Sequence, residues 1–324
     1  MTELKTSKHE ALIVGCSIAD LQIRPIPKDI FERGVYHVQS TALSIGGDAI
    51  NEATVLARLG HQVTLMGMVG TDRVGDFVLD HCRNEGIDEA FTRVDGINTS
   101  INVGLLSEEG VRNCITDVNA SMKVFGPEHI NFDCFNRGYR VMSFASIFIH
   151  PKFGPKDYAA VFRRAHEAGM IVCVDSSPEQ VSDCAAIPQM KEALGYVDYF
   201  FPNFGEAKWM TGRDTPEECA EVLLSYGIRN VVLKVGKDGA IIRNAQELIR
   251  VPAFPDITCI DETGAGDNFA AGFICGLLED RSLRECGEIA TACASIAIEN
   301  VGASTGVKSR AQVEERLKRR TKTD

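Results

Sequence analysis

The chain of 324 residues has an ordinary globular composition, with 44% hydrophobic and 24% charged residues, which excludes a disordered or fibrous protein. Its formal net charge of -11 argues against a non-specific nucleic-acid binder and against binding to an anionic membrane, because both need a basic face. The length is sufficient for one large domain with an elaboration and a substantial core. We therefore expect a protein that acts on small molecules.

The eleven cysteines are scattered and include no Cys-x-x-Cys pair, so we interpret them as reduced thiols. The first ten residues are polar, and no apolar run approaches the length that spans a membrane. The sequence thus predicts a soluble cytoplasmic protein that binds neither nucleic acid nor a membrane.

Residues 11–15 form a short apolar run that predicts a buried strand of an α/β sheet. Asp20 follows that strand, where open α/β sheets bind ligands, so it could bind substrate hydroxyls or simply cap a turn. Residues 21–44 lack helical periodicity and contain two prolines, which predicts extended structure outside the main sheet.

Gly46 and Gly47 precede a stretch of helical periodicity at residues 49–59. Two glycines before a helix allow a ligand to approach the backbone closely, and Asn51 in the first turns could direct its amide at that ligand. Taken alone, a Gly-Gly turn before a helix is usually only a turn.

Residues 62–69 predict the next buried strand and residues 72–84 a helix. Residues 98–106 and 111–118 are two extended runs around a Ser-Glu-Glu-Gly turn, a pattern typical of a β-hairpin. With residues 21–44 they could build a small β-layer that covers a ligand site. An ordinary surface hairpin is the alternative.

From about residue 126 strands and helices alternate, which predicts a mostly parallel sheet with helices on both faces. We see neither a linker nor an internal repeat. The predicted strands are residues 140–149, 171–175, 199–202 and 230–235, and the predicted helices are residues 157–168, 216–226 and a basic terminal helix at 312–322.

The sequence D-E-T-G-A-G-D at residues 261–267 precedes an apolar helix predicted from residue 268 to residue 278. Its Gly-Ala-Gly turn can present successive N–H groups to an anion at a helix N-terminus. Asp267 at this anion site is suited to act as a general base, and a helix cap is its structural alternative. The dinucleotide fingerprint and the P-loop signature are both absent from the sequence. The segment therefore predicts phosphoryl transfer.

This turn resembles the second signature of the ribokinase-like (PfkB) carbohydrate kinase family, D-T-x-G-A-G-D before a helix with small residues. Further landmarks of the family occur in order over nearly the whole chain. They are Asp20 after the first strand, Gly46 and Gly47 with Asn51, Asn203-Phe-Gly-Glu206 for the N-x-x-E element, and residues 231–242 for the nucleotide-binding strand and loop.

The resemblance implies an α/β, ribokinase-like three-layer fold with a mostly parallel central sheet and a small β-sheet lid. The domain would span residues 1–324, with a lid of about residues 21–45 and 98–118 inserted in the α/β core. It further implies that ATP donates its γ-phosphate to a sugar hydroxyl with Mg²⁺ as cofactor. K⁺ activates many members, and pairing of lid sheets implies a homodimer.

The resemblance also implies a role for each matching residue. Lys234 departs from the small polar residue that is common at its position in relatives. Asp267 would be the catalytic base beside the phosphate cradle of Gly264, Ala265 and Gly266; Asp20, Gly46, Gly47 and Asn51 would bind the sugar; Asn203, Lys234, Gly236 and Gly239 would bind the nucleotide; Glu206 would hold Mg²⁺ through water, and Asp261 and Thr263 would help to hold a monovalent cation.

The substrate class depends on Asp48, which follows the two glycines where some relatives have lysine. An acid there should repel a phosphorylated sugar, so we favour an unphosphorylated sugar or polyol. Asn102, Arg112 and Asn113 on the hairpin are candidate contacts to sugar hydroxyls. After residues 171–175 the sequence reads Ser-Ser-Pro, unlike the D-P-N-x-R of fructokinase-like and ketodeoxygluconate kinase-like members.

Two other functions remain open at this point. A nucleoside kinase of the same family would need an aromatic shelf for its base, for which Phe31, Tyr36 and Phe91 are candidates. A catalytically silent sugar or nucleotide sensor could share the fold, although the intact Asp267 and glycine turn argue against it.

Overall fold

The computed structural model describes residues 9–108, 112–177 and 184–320. The tip of the predicted hairpin, Pro178 and the last two residues of the predicted terminal helix lie outside them. The strands are β1 Ala11–Val14, β2 Ile18–Arg24, β3 Ser40–Gly46, β4 Val63–Met66, β5 Met68–Gly70, β6 Asp88–Glu89, β7 Thr92–Val94, β8 Ile101–Leu106, β9 Arg112–Ile115, β10 Val141–Ile147, β11 Ile171–Ser176, β12 Tyr199–Phe200, β13 Asn230–Lys234, β14 Ala240–Arg243 and β15 Leu248–Val251. The α-helices are α1 Asp48–Arg58, α2 Arg73–Glu85, α3 Ser121–Val124, α4 Pro155–Glu167, α5 Lys191–Leu194, α6 Phe204–Thr211, α7 Pro216–Ser225, α8 Ala265–Leu278, α9 Leu283–Ala297 and α10 Arg310–Arg320.

Within the described residues a nine-stranded sheet forms the centre of the molecule, in the order β15-β14-β13-β12-β11-β10-β1-β4-β6. The strands from β13 to β6 pair in parallel, and β14 and β15 add an antiparallel edge. Parallel strands point their carboxyl ends to one edge, so the residues that follow β1, β11 and β13 meet there. That edge is where the candidate site forms.

Both faces of this sheet are buried. Ala11 and Ile13 of β1 belong to a core that includes residues of α1, α8 and α9, whereas Leu12 and Val14 belong to a core that includes residues of α4 and α7. Strands covered on two sides carry continuous apolar runs, which explains why the first strand was evident in the sequence. The result is the three-layer α/β architecture that the resemblance implied.

The strand predicted at residues 62–69 is divided in the structure. Gly67 separates β4, which belongs to the main sheet, from β5, which pairs with β7 in a separate two-stranded sheet. A side chain at Gly67 would place its Cβ 2.5 Å from the carbonyl oxygen of Gly15. The chain therefore changes sheets where it passes close to the end of β1, a tertiary contact that the apolar run did not reveal.

A second sheet of four strands, in the order β3-β2-β8-β9, lies outside the main sheet. β8 and β9 lie within the second predicted lid segment and pair as the predicted antiparallel hairpin. β2 and β3 overlap the first predicted segment of about residues 21–45, but β2 already begins at Ile18 and β3 ends at Gly46. Residues 21–44 are not entirely extended, because a short 3-10 helix occupies Ile30–Glu32 between β2 and β3. Among the described helices, none has the length and apolar character needed to cross a membrane.

Candidate active site

A cleft of about 340 Å³ lies between the four-stranded sheet and the N-terminus of α8. It unites the two groups of predicted site residues, which are far apart in the sequence. Its lining includes Asp20, Gly47, Asn51 and Asn102 from one group and Gly264, Ala265, Gly266 and Asp267 from the other.

The phosphate turn, residues 264–266, lies at the start of α8. The helix begins at Ala265, three residues before the predicted start, because Gly264 adopts φ of 76° and serves as its N-cap. A Cβ on Gly264 would lie 2.4 Å from the carbonyl oxygen of Ala303, so both space and backbone conformation require glycine. Asn268 fixes the turn, since its Nδ2 donates to the carbonyl oxygens of Gly264 and Ala303 at 2.7 Å each.

The backbone donors of this turn differ from the expected set. The N–H of Ala265 donates to the carbonyl oxygen of Glu262 at 3.1 Å. In the described part of the chain no acceptor meets the N–H groups of Gly266 and Asp267. Free donors in the first turn of a helix attract an anion, so these two N–H groups form the strongest part of the cradle.

Asp267 is the acid of the first turn of α8, and Asn51 of α1 orients it. The Asn51 Nδ2 donates to Asp267 Oδ2 at 2.8 Å. Burial raises the pKa of Asp267 well above its usual value, and the nearby charges of Asp48 and Asp175 raise it further, while Asn51 and Lys234 lower it. A carboxyl group with a raised pKa is a stronger base once it is ionised, which suits proton abstraction from an alcohol.

The sugar end of the cleft is formed by Asp20 and Asn102. They are paired neighbours on β2 and β8, and the Asn102 Nδ2 donates to Asp20 Oδ1 at 2.9 Å. Gly46 leaves the space that Asp20 needs, because a Cβ there would lie 2.0 Å from Asp20 Oδ2. Gly47 has φ of 102°, and its Cβ would meet the carbonyl oxygen of Cys16 at 2.7 Å. The two glycines thus allow close packing of protein against protein.

The hairpin residues predicted as lid contacts lie on different faces. Asn113 is opposite Leu105 in the β8–β9 register, on the face that also carries Val103, whereas Asn102 lines the cleft. Asn113 therefore faces away from the cleft, and the prediction of a sugar contact at that position is wrong. The side chain of Arg112 lies outside the described part of the structure.

Asn203 and Glu206 cap the N-terminus of α6 reciprocally. The Glu206 N–H donates to Asn203 Oδ1 at 2.9 Å, and the Asn203 N–H donates to Glu206 Oε2 at 2.8 Å. The same Glu206 oxygen accepts from Ser176 Oγ at 3.1 Å. Burial raises the pKa of Glu206. The N-x-x-E element is therefore a capping box that also holds a carboxylate near the end of β11.

Lys234 is the last residue of β13, and its Nζ donates to Asp175 Oδ2 at 2.6 Å. Gly236 has φ of 60° in the loop that follows. Gly239 packs against β15, because a Cβ there would lie 2.1 Å from the carbonyl oxygen of Val251. The glycine at 239 thus has a structural reason that is independent of any nucleotide.

The carboxylate of Asp261 joins two loops. Its Oδ1 accepts from the N–H of Thr263 at 3.0 Å and its Oδ2 accepts from the N–H of Gly302 at 2.9 Å. With the carboxylate occupied in this way, a monovalent ion beside Asp261 and Thr263 would depend on main-chain carbonyl groups.

Sequence reasoning singled out Asp48 but missed its contact with Ser146, and it missed two buried acids near the cleft, Asp175 and Glu52. Asp48 accepts a hydrogen bond from Ser146 Oγ, and burial raises its pKa. Burial raises the pKa of Asp175 to about 7 and that of Glu52 to about 8. Asp175 carried a usable signal, an acid at the carboxyl end of a strand. Glu52 gave none, because an acid within a predicted helix is usually exposed.

Comparison with known proteins agrees with this architecture. The family model described as "pfkB family carbohydrate kinase" matches residues 9–310. The chain is 27% identical over 285 residues to 2-dehydro-3-deoxygluconokinase of Bacillus subtilis, covering 86% of this chain and 87% of that protein. It is 32% identical over 294 residues to 1-phosphofructokinase of Escherichia coli, covering 87% and 88%.

Solved structures show the same fold. Ribokinase of Thermotoga maritima superposes with a TM-score of 0.81 at 23% identity, covering 95% of this chain and 99% of that one. Arabidopsis thaliana ribokinase, solved with ribose and ATP, gives a TM-score of 0.81 at 22% identity, covering 95% and 98%. The fold is therefore ribokinase-like, as predicted, and the chain belongs to the pfkB family of carbohydrate kinases.

Proposed function

We propose that this protein is an ATP-dependent kinase that transfers the γ-phosphate of ATP to a hydroxyl of an unphosphorylated sugar. The observation that carries the proposal is the single cleft that contains the Asp20–Asn102 pair, the free N–H groups of Gly266 and Asp267, and the carboxylate of Asp267. Hydroxyl-binding groups, an anion site and a base are the three parts that transfer to an alcohol requires.

In this mechanism Asp20 and Asn102 bind sugar hydroxyls, and Asp267 accepts the proton of the attacking hydroxyl. Asn51 holds one oxygen of Asp267, which leaves the other for that proton. The new bond joins the sugar oxygen to the γ-phosphorus as the bond to the ADP oxygen breaks. The N–H groups of Gly266 and Asp267, together with the helix dipole, stabilise charge on the transferring group.

The residues assigned to the nucleotide lie along the adjacent carboxyl edge of the sheet. Asn203, Lys234, Gly236 and Gly239 remain our candidates for contacts with ATP. Asp175 and Glu206 offer carboxylate oxygens with their side chains directed toward the same region, a donor chemistry that fits Mg²⁺ held partly through water. The metal would neutralise charge on the phosphates of ATP.

A monovalent cation such as K⁺ is proposed beside Asp261 and Thr263. The support is that the Asp261 carboxylate binds the backbone of both Thr263 and Gly302, which fixes the loop carbonyls that an ion would need. Turnover in K⁺ compared with a tetramethylammonium salt at equal ionic strength tests this assignment. Equal rates would contradict it.

An unphosphorylated substrate is favoured by the charge of the cleft. Asp20, Asp48, Glu262 and Asp267 line it, and its described lining includes no lysine, arginine or histidine. The negative charge of these carboxyl groups disfavours a second phosphate on the substrate. Two relatives are named 1-phosphofructokinase and 6-phosphofructokinase. Phosphorylated sugars must therefore be tested as substrates alongside unphosphorylated ones.

The alternatives from the sequence receive less support. Phe31 is 91% exposed, Phe91 packs against the core beside Gly67, and the described lining of the cleft contains no aromatic side chain for a nucleobase. A silent sensor would not need a base held by Asn51 next to two free N–H donors.

A homodimer through the four-stranded sheet is part of the proposal. One cross-strand row on the face turned away from the cleft is entirely apolar, namely Leu43, Leu21, Val103 and Ile115. Leu43 is 59% and Ile115 is 52% exposed. An exposed apolar row of this kind is typical of a protein interface, and a second copy would cover it. The free thiols among the described cysteines support a cytoplasmic location.

The deciding experiment follows ADP release with Mg·ATP and a panel of pentoses, hexoses, keto-acids, nucleosides and sugar phosphates. We expect turnover with an unphosphorylated sugar and a loss of about a hundredfold or more in Asp267→Asn. Asp280→Asn, which changes an acid paired with Arg140 beyond the far end of α8, is the matched control. Turnover that is unchanged in Asp267→Asn would disprove the mechanism. Tight sugar binding without turnover would favour the sensor.

A further inference from the structure

Lys234 lies against Gly266, one of the two glycines of the phosphate turn. A Cβ on Gly266 would be 3.2 Å from Lys234 Nζ, and among the described atoms outside that helix no other lies within 4 Å of this position. Gly266 does not have a positive φ, so its backbone conformation does not require glycine. The missing side chain instead leaves room for the ammonium group.

Two contacts fix the position of Lys234. Its N–H donates to the carbonyl oxygen of Pro202 at 2.9 Å, just before the capping box of α6, and its ammonium pairs with Asp175 at 2.6 Å. The side chains of Lys234 and Asp175 are only 14% and 7% exposed. Because this long side chain is held at both ends, it loses little further conformational entropy when it contacts a ligand.

The ammonium end of the ion pair lies closer to the phosphate turn than the carboxylate end does. The ammonium nitrogen lies within 4 Å of the Cβ position of Gly266, whereas the Asp175 carboxylate does not, and Asp175 Oδ1 accepts from the N–H of Ser176 at 2.7 Å. The positive end of the pair therefore faces the phosphate turn.

We propose that Lys234 is a catalytic residue whose ammonium contacts the transferring phosphoryl group at the Gly266 N–H. This inference rests on the proposed function, and it assigns Lys234 to the reacting group instead of the rest of the nucleotide. An ammonium has three N–H donors, and Asp175 accepts one of them in the described structure, which leaves donors for a phosphoryl oxygen.

The charge balance of the site gives this contact its importance. The phosphoryl group arrives with negative charge in a cleft lined by Asp20, Asp48 and Asp267. During transfer the alcohol proton goes to Asp267 and the electron pair of the broken P–O bond leaves with ADP. Lys234 neither gains nor loses a proton, and it offsets charge on the phosphoryl oxygens throughout.

The test compares wild type with Lys234→Met, Lys234→Arg and the control Lys191→Met, which changes an exposed lysine at the start of α5. We measure kcat and the affinity for Mg·ADP with and without aluminium fluoride, which mimics the transferring group, in the presence of the sugar that the panel identifies. For Lys234→Met we expect kcat to fall by about a hundredfold. We expect the affinity for Mg·ADP alone to stay nearly unchanged. Most of the increase in that affinity that aluminium fluoride causes should be lost. Lys234→Arg should keep part of the increase in affinity that aluminium fluoride causes, and Lys191→Met should keep all of it.

The Lys234→Met protein leaves Asp175 buried without its partner, which could prevent folding. The double variant Lys234→Met/Asp175→Asn removes both charges and should show the same loss of the aluminium fluoride gain. A folded variant of either kind that keeps the wild-type gain overturns the role of Lys234. If wild type itself shows neither turnover nor a gain from aluminium fluoride, the proposed function fails and this inference fails with it.

A double-mutant cycle provides an independent readout. Gly266→Ala would place a methyl group 3.2 Å from the ammonium and displace it by a few tenths of an ångström. We expect Gly266→Ala to lower kcat substantially in the wild-type background and clearly less in the Lys234→Met background. An equal decrease of kcat in the two backgrounds would mean that Gly266→Ala acts through the backbone and not through Lys234. That result would contradict the proposed contact.

Discussion

The amide of Asn51 donates to the carboxylate of Asp267 at 2.8 Å, which joins residues 216 positions apart in the chain. This bond connects α1 of the sugar end to α8 of the phosphate turn. It also opposes the effect of burial and of Asp48, which raise the pKa of Asp267. Asn51 therefore affects both the direction of the base and the pH at which it works.

Removal of this bond by Asn51→Ala should shift the pH dependence of kcat. The rate rises with pH as Asp267 loses its proton, and loss of a bond that lowers the pKa moves this rise to higher pH. We expect a loss of about tenfold at the acidic end of the profile that shrinks as the pH rises, measured by ADP release across the range. Asn113→Ala on the outer face of the four-stranded sheet serves as the control. A loss of the same size at every pH would show that Asn51 does not tune the base.

The Asp20–Asn102 pair should control sugar affinity. Asp20→Ala removes a carboxylate that binds hydroxyls and leaves the Asn102 amide without its partner, so we expect the KM for the sugar to rise by ten- to a hundredfold, roughly. The KM for ATP should change little, because the nucleotide residues lie on other elements. Asp29→Ala, which removes an exposed acid paired with Arg33 in the loop between β2 and β3, is the matched control. An equal rise in both KM values would contradict the assignment.

Glu52 should make the fold less stable as the pH rises. Its folded pKa, raised by burial to about 8, exceeds the usual value of 4.5, so the folded protein binds an extra proton between these pH values. Stability from this group is full below about pH 4.5 and is lost as the pH rises through 8. Glu52→Gln should therefore raise stability at pH 8.5 by a few kcal/mol, roughly, with a much smaller effect at pH 5.

Urea unfolding at the two pH values measures this change. Glu85→Gln should change the free energy of unfolding in the opposite direction, because the hydrogen bond from Arg58 overcomes the effect of burial and lowers the pKa of Glu85. That variant should be less stable than wild type at pH 8.5. A Glu52→Gln protein with an unchanged pH dependence would show that Glu52 is not a protonated acid in the folded state.

The apolar row on the four-stranded sheet should determine the assembly state. Leu43→Lys places a charge at the β3 end of the apolar row in the proposed interface, and we expect a shift from dimer to monomer in analytical ultracentrifugation. Glu167→Lys on the exposed end of α4 changes charge away from the sheet and should leave the dimer intact. Wild type that sediments as a monomer at micromolar concentration would disprove the dimer.

The sequence was most informative where one local pattern determines structure. The strand at residues 11–15, the helix after Gly46 and Gly47, and the α/β alternation after residue 126 were all predicted close to their observed bounds. The family of the chain was also evident from its ordered motifs. These features depend on the periodicity of apolar residues, on turn-forming residues and on the spacing within motifs. All three can be recognised in short stretches of sequence.

Tertiary relationships were less accessible. The division at Gly67 depends on its approach to Gly15, and the early start of α8 depends on Gly264 packing against Ala303. The partner of Lys234 lies two strands away, so no window of sequence contained the ion pair. The reason for Gly46 was likewise hidden, because the space it leaves is filled by a side chain from the preceding strand.

Asn268 is completely buried, and its side chain bonds the carbonyl oxygens of Gly264 and Ala303 instead of pointing into the cleft. A mutational screen that ranks positions by proximity to bound sugar or nucleotide would give it a low priority. Its amide nevertheless connects two segments that both border the phosphate turn. Inactive variants recovered by random mutagenesis should therefore include Asn268 alongside the residues that touch ligands, and directed evolution toward new substrates should leave it unchanged.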